Sequence, residues 1–141
     1  MNTSTDHEPT TITAREIPER ERLQVLPRHF GRHMLTVEGA VYEFMRRLVP
    51  DYIGGFWQFT ELSNGGFYMS PEPAKTLNIS VEGNGYEGTM SAQAAGITAC
   101  LFAFSHLSFQ IRDESLSNHY YWLQEFVFEH PEASAILAAI D

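Results

Sequence analysis

Six histidines, one cysteine and scattered carboxylates are the residues able to do covalent, acid–base or metal chemistry in this 141-residue chain. Cys100 with His106 suggests a thiol nucleophile and its base, but both fall on one predicted helix, on different faces about two turns apart. Cys100 reads better as a small buried apolar residue, and without a second cysteine there is neither a disulfide nor a thiolate zinc site. His29 and His33 have the i, i+4 spacing by which a helix presents two ligands to zinc. Gly31 lies between them, however, no HExxH carboxylate accompanies them, and a third ligand such as Glu38 would have to come from elsewhere. Glu61, Glu82 and Glu87 could meet across adjacent strands as paired carboxylates, but a sheet's exposed face routinely carries such acids, so none is assigned a role. Joined to His29 and His33, they define one reading: a small hydrolase or metal-dependent enzyme. His119 opens a predicted helix with no serine elbow near it. The glycines at 54–55, 65–66 and 83–88 lack the lysine of a phosphate loop and the helix of a dinucleotide fingerprint, so they read as turns.

Composition sets the scale. With 43% hydrophobic and 13% aromatic residues, the chain can bury one core and has no room for two ordinary domains. Its net charge of −9 is uneven: residues 1–48 hold seven acids and seven bases, whereas 49–141 hold eleven acids and only Lys75 and Arg112. Phosphate-driven DNA binding needs clustered Lys and Arg, so DNA is at most a weak ligand. Dense DNA mimicry is disfavoured too, because long apolar runs such as Ala94 to Phe104 interrupt the acids. The N-terminal residues have no apolar stretch of the kind a signal or membrane span requires. A cytoplasmic protein without membrane attachment or cofactor is expected.

Residues 1–20 are rich in Thr and acids without an apolar period, which predicts a disordered leader before one domain over 21–141. Arg22 to Gly31 supplies Leu23, Val25, Leu26 and Phe30 as anchors, but Pro27 predicts an irregular segment. Val41, Phe44, Met45 and Leu48 mark a helix over Thr36 to Val49, ended by Pro50. Phe56–Leu62 and Phe67–Ser70 flank Ser63-Asn64-Gly65-Gly66 and form a predicted hairpin. Leu77–Val81 and Tyr86–Met90 form a second around Gly83-Asn84-Gly85. Ser91 caps a long apolar helix to about Gln110, followed by helices over Asn118 to Glu129 and Glu132 to Ile140. This order predicts an α+β fold, an antiparallel sheet built from two hairpins with several helices packed against it.

Three stretches then resemble the antirestriction family known as ArdB or KlcA. They are Phe30-Gly31-Arg32 leading to Met45-Arg46-Arg47-Leu48; Gly54-Gly55-Phe56-Trp57 through Leu62-Ser63-Asn64-Gly65-Gly66-Phe67-Tyr68-Met69; and Gly83-Asn84-Gly85-Tyr86 through Met90-Ser91-Ala92 and Ala94-Ala95-Gly96-Ile97. The resemblance covers about residues 23 to 107. It implies a non-catalytic protein of mobile DNA that reduces type I restriction of incoming DNA. The implied partner is the type I restriction-modification complex, reached directly or indirectly; a monomer is expected, with a dimer as the alternative. Two candidate contact surfaces follow from the residues. One is Arg32, Arg46 and Arg47 with His33, suited to planar bidentate contacts. The other is the pair of turns at Asn64 and Asn84, with Phe67 and Tyr86 as exposed aromatics.

Overall fold

The computed structural model describes residues 11–50, 52, 54–73 and 76–141. Among these, the strands are β1 (Ala14–Glu16), β2 (Trp57–Leu62), β3 (Phe67–Pro71), β4 (Leu77–Ser80) and β5 (Glu87–Met90). The α-helices are α1 (Arg22–Phe30), α2 (Met34–Leu48), α3 (Ala92–Gln110), α4 (Glu114–Val127) and α5 (Ala133–Ile140). The fold is α+β, as expected, but its two hairpins sit in separate sheets: β1-β2-β3 and β4-β5, both antiparallel.

Both turns work as read, with the positive φ taken by the glycine that follows each asparagine: Gly65 at 103° and Gly85 at 76°. Each asparagine's Oδ1 accepts a backbone N–H two residues on, Gly66 for Asn64 (3.0 Å) and Tyr86 for Asn84 (2.9 Å).

α3 is the central element. Ser91 caps it through Oγ, which accepts the Ala94 N–H at 3.1 Å. It is apolar around most of its circumference because it packs against α2, β3, α4 and α5 at once. Small residues let it approach β3 closely, and a Cβ at Gly96 would overlap the Ser70 side chain and come within 2.6 Å of the Met69 carbonyl oxygen. Farther along, Cys100 is fully buried, and its Sγ accepts the Met69 N–H at 3.4 Å.

Three expectations need correction. Residues 14–16 form a strand on the free edge of β2 inside the segment expected to be disordered, and Ile17, 3% exposed, joins the core. Edge pairing supplies the backbone bonds that the local sequence does not announce, whereas residues 1–10 of that leader lie outside the described residues. Arg22–Phe30 is a helix despite Pro27. The ring removes one N–H, but Val25, Leu26 and Phe30 are buried on one face, and that burial outweighs the missing bond. α4 starts at Glu114, four residues before the expected Asn118, because the Asp113 carboxylate accepts the Ser115 N–H at 2.9 Å and caps it.

Register fixes which side chains share a face of the larger sheet. Arg15, Glu61 and Phe67 lie in one cross-strand row, and Phe59 pairs with Met69 beside it. On the opposite face Glu16, Thr60 and Tyr68 form a row, next to the pair Gln58 and Ser70.

Candidate functional site

The arginines expected to act together occupy the two ends of α2. Arg32 precedes the helix and Arg46 and Arg47 close it, so a rise of 1.5 Å per residue separates them by about 20 Å. Arg32 belongs with His33, whose Nε2 lies 3.5 Å from Asp113 Oδ2 at the start of α4. Arg46 and Arg47 share one carboxylate, Glu43, at 2.6 and 3.3 Å, and the Arg46 hydrogen bond holds that carboxyl below its ordinary range.

Arg47 also lies over the Phe44 ring, 5.3 Å from its centroid, at the mouth of a groove of about 410 Å³ between α2, α3 and the β4–β5 turn. Phe44 and Phe102 stack in its wall with ring centroids 5.6 Å apart, and Leu48, Val81 and Glu82 also line it. An apolar slot lined by both a guanidinium and a carboxylate suits an inserted apolar side chain accompanied by charges of both signs.

The two asparagines have internal duties. Asn64 Nδ2 donates to the Trp122 carbonyl at 2.9 Å and to Glu125 Oε1 at 3.1 Å, tying the β2–β3 turn to α4. Asn84 Nδ2 donates to the Ala139 and Asp141 carbonyls at 2.9 and 2.8 Å, satisfying the end of α5. Phe67, expected to be exposed beside these turns, is fully buried. It is on the core-facing side of β3, where its ring meets those of Phe30 and Phe59.

The acid–base candidates separate. Among the described residues, Glu61 alone of the three sheet carboxylates meets a histidine: His29 Nε2 is 2.6 Å from its Oε2. Arg28 reaches the same oxygen at 2.6 Å, and Arg15 reaches Oε1 at 3.3 Å. Glu82 and Glu87 belong to the other hairpin, and His33 turns to Asp113, so no triad of ligands closes. Among the described residues no three His, Cys, Asp or Glu side chains are grouped to hold a metal. Behind His29 lies His119, expected to open a helix but placed within α4, 2% exposed and ringed by Phe30, Phe104 and Trp122. Its Nδ1 has no partner among the described residues, and burial, aided by the charge of His29, pushes its pKa down to about 4. Cys100 and His106 stay apart as expected: the thiol is buried and pushed up to about 12, whereas His106 is exposed against Phe44.

The Antirestriction protein family model matches residues 50–141, the span that includes both hairpins and the last three helices. The chain belongs to this family. Among relatives of this antirestriction chain is the Antirestriction protein KlcA of Escherichia coli, 46% identical over 140 residues that cover 94% of this chain and 96% of the relative. The Uncharacterized protein YafX of Escherichia coli strain K12 is 40% identical, covering 92% and 88%. A solved structure matches over 100% of both chains with a TM-score of 0.88 and 46% identity. It is described as showing, for the KlcA and ArdB proteins, a novel fold and antirestriction activity against Type I DNA restriction systems in vivo but not in vitro.

Proposed function

We propose that this chain protects incoming unmodified DNA from type I restriction inside the bacterial cell, without catalysis, by contact with the restriction machinery or with a cellular component that controls it. The observation that carries this reading is the full-length likeness, at a TM-score of 0.88, to a structure whose described activity appears in vivo but not in vitro. Such a split favours a mechanism that needs a partner present in the cell over occlusion of DNA alone.

In this reading the groove beneath Arg47 is the contact surface, and Arg46 and Arg32 are peripheral to it. The Cys100 thiol, fully buried and pushed up to about 12, supports non-catalytic action, because it is not presented to a substrate.

Plating unmodified phage on cells with an active type I system, with and without the protein, tests the activity. The expected result is a rescue that vanishes in a host lacking the restriction subunit; no rescue from soluble, abundant protein sinks the proposal. Arg47→Glu is expected to weaken the rescue about tenfold at equal protein level, the effect of losing ~1.4 kcal/mol of contact. An unchanged rescue would remove the groove from the mechanism and leave the activity standing.

A further inference from the structure

The face of the larger sheet turned away from α1 holds a second concavity, of about 460 Å³, closed on one side by the start of α3 and by the segment joining α4 to α5. That volume is in the range of ligand sites. Its floor is unusually polar for its burial. Thr60, Tyr68 and Ser70 are 7%, 1% and 3% exposed, and all three line the cavity. Tyr68 Oη accepts from Gln93 Nε2 at 2.9 Å, and the Gln93 Oε1 is 2.7 Å from His130 Nε2. The Ser70 side chain lines the cavity, and its hydroxyl enters none of the hydrogen bonds between described residues.

The charges at this cavity are of one sign among the described lining residues: Glu16 at one rim and Glu132 at the other. The Ser91 N–H and hydroxyl donate to the two Glu132 oxygens at 2.9 and 2.5 Å, which orients that carboxylate at the N-terminus of α3 and leaves a lone pair on each oxygen. Burial pushes the His130 imidazole down, so it adds no positive charge nearby at neutral pH.

We propose that this cavity receives the guanidinium of an arginine side chain presented by a basic protein partner. A planar group with five N–H donors matches acceptors distributed over a flat sheet face and two opposed carboxylates better than a point ammonium does. The chain's net charge of −9 adds a long-range attraction for a basic surface. The inference is independent of the Arg47 groove and of the antirestriction reading.

The test is an amide NMR titration of the full chain with a capped pentapeptide holding one arginine among glycines, and with its citrulline counterpart, equal in shape and uncharged. Saturable shifts at Thr60, Ser70 and Gln93 with the arginine peptide alone are expected. Glu16→Gln, an exposed change, should weaken binding about tenfold while the circular dichroism spectrum stays the same. Absent or unsaturable shifts, equal shifts with citrulline, or unaltered binding by Glu16→Gln would overturn the assignment. So would binding of free arginine without binding of the peptide, which would indicate a small metabolite as ligand.

Discussion

Glu16 and Glu61 lie on the same three-stranded sheet, on opposite faces, and the protein treats them in opposite ways. Glu61 is surrounded by Arg15, Arg28 and His29, drawn from β1 and α1, and behind it the sheet closes onto Phe59, Phe67 and Met69. Glu16 shares its face with Thr60, Tyr68, Gln58 and Ser70, beside an open cavity. One face uses its carboxylate to join elements together, and the other keeps a carboxylate available. The alternation of a short strand is enough to give one sheet a structural side and a receptive side.

The largest expected effect comes at the sheet edge that both faces share. Gly96→Val would drive new methyl groups into Ser70 and the Met69 carbonyl, a close approach of backbone elements that cannot relax without moving α3. A loss of about 3 kcal/mol is expected in urea unfolding. A loss under 1 kcal/mol would mean that α3 can pivot there.

Next comes the acid response of the structural face. His119 titrates near 6.5 when unfolded and about 4 when folded, so the folded state binds fewer protons across that window. Its contribution is complete above pH 6.5 and is lost as pH falls toward 4, by roughly 3 kcal/mol. Unfolding midpoints measured from pH 7 to 4 should therefore fall in the parent and fall much less in His119→Phe. Equal slopes would exclude His119 as the cause.

Glu61→Ala should cost about 2 kcal/mol at neutral pH, because Arg15, Arg28 and His29 lose a shared acceptor. Burial pushes the Glu61 carboxyl up, but the hydrogen bonds and charges of Arg28 and His29 outweigh it and hold it below its ordinary value. Its stabilisation is thus complete above the ordinary carboxyl range and is lost as pH falls through the lowered value. Glu16→Gln is the smallest change, within about 0.5 kcal/mol in the same assay. A loss as large as that of Glu61→Ala would erase the distinction between the faces.

Much of this architecture was legible because it is written in local chemistry. Asn64-Gly65 and Asn84-Gly85 announce the turns, Ser91 announces α3, and the 3.6-residue spacing of Val41, Met45 and Leu48 announces α2. β1 was not legible, since three exposed residues earn their place only by pairing with β2. α1 was hidden by Pro27, whose local penalty is real but smaller than the tertiary burial it interrupts. The candidate site was legible only in part. Arg47 could be found as a basic residue ending a helix, whereas its distance from Arg32 depends on α2 beginning before Thr36. The asparagines were recognisable as turn residues, but their second partners in α4 and α5 are more than fifty residues away and leave no mark on the turn itself.

The fully buried Cys100 sulfur has a use beyond packing. A thiol reacts as its thiolate, and this one is held protonated and shielded against the Met69 backbone, so an alkylating reagent can reach it only when α3 leaves β3. Because it is the chain's one cysteine, the rate at which the reagent labels it is a clock for the opening of the central helix, readable by mass with no engineered reporter.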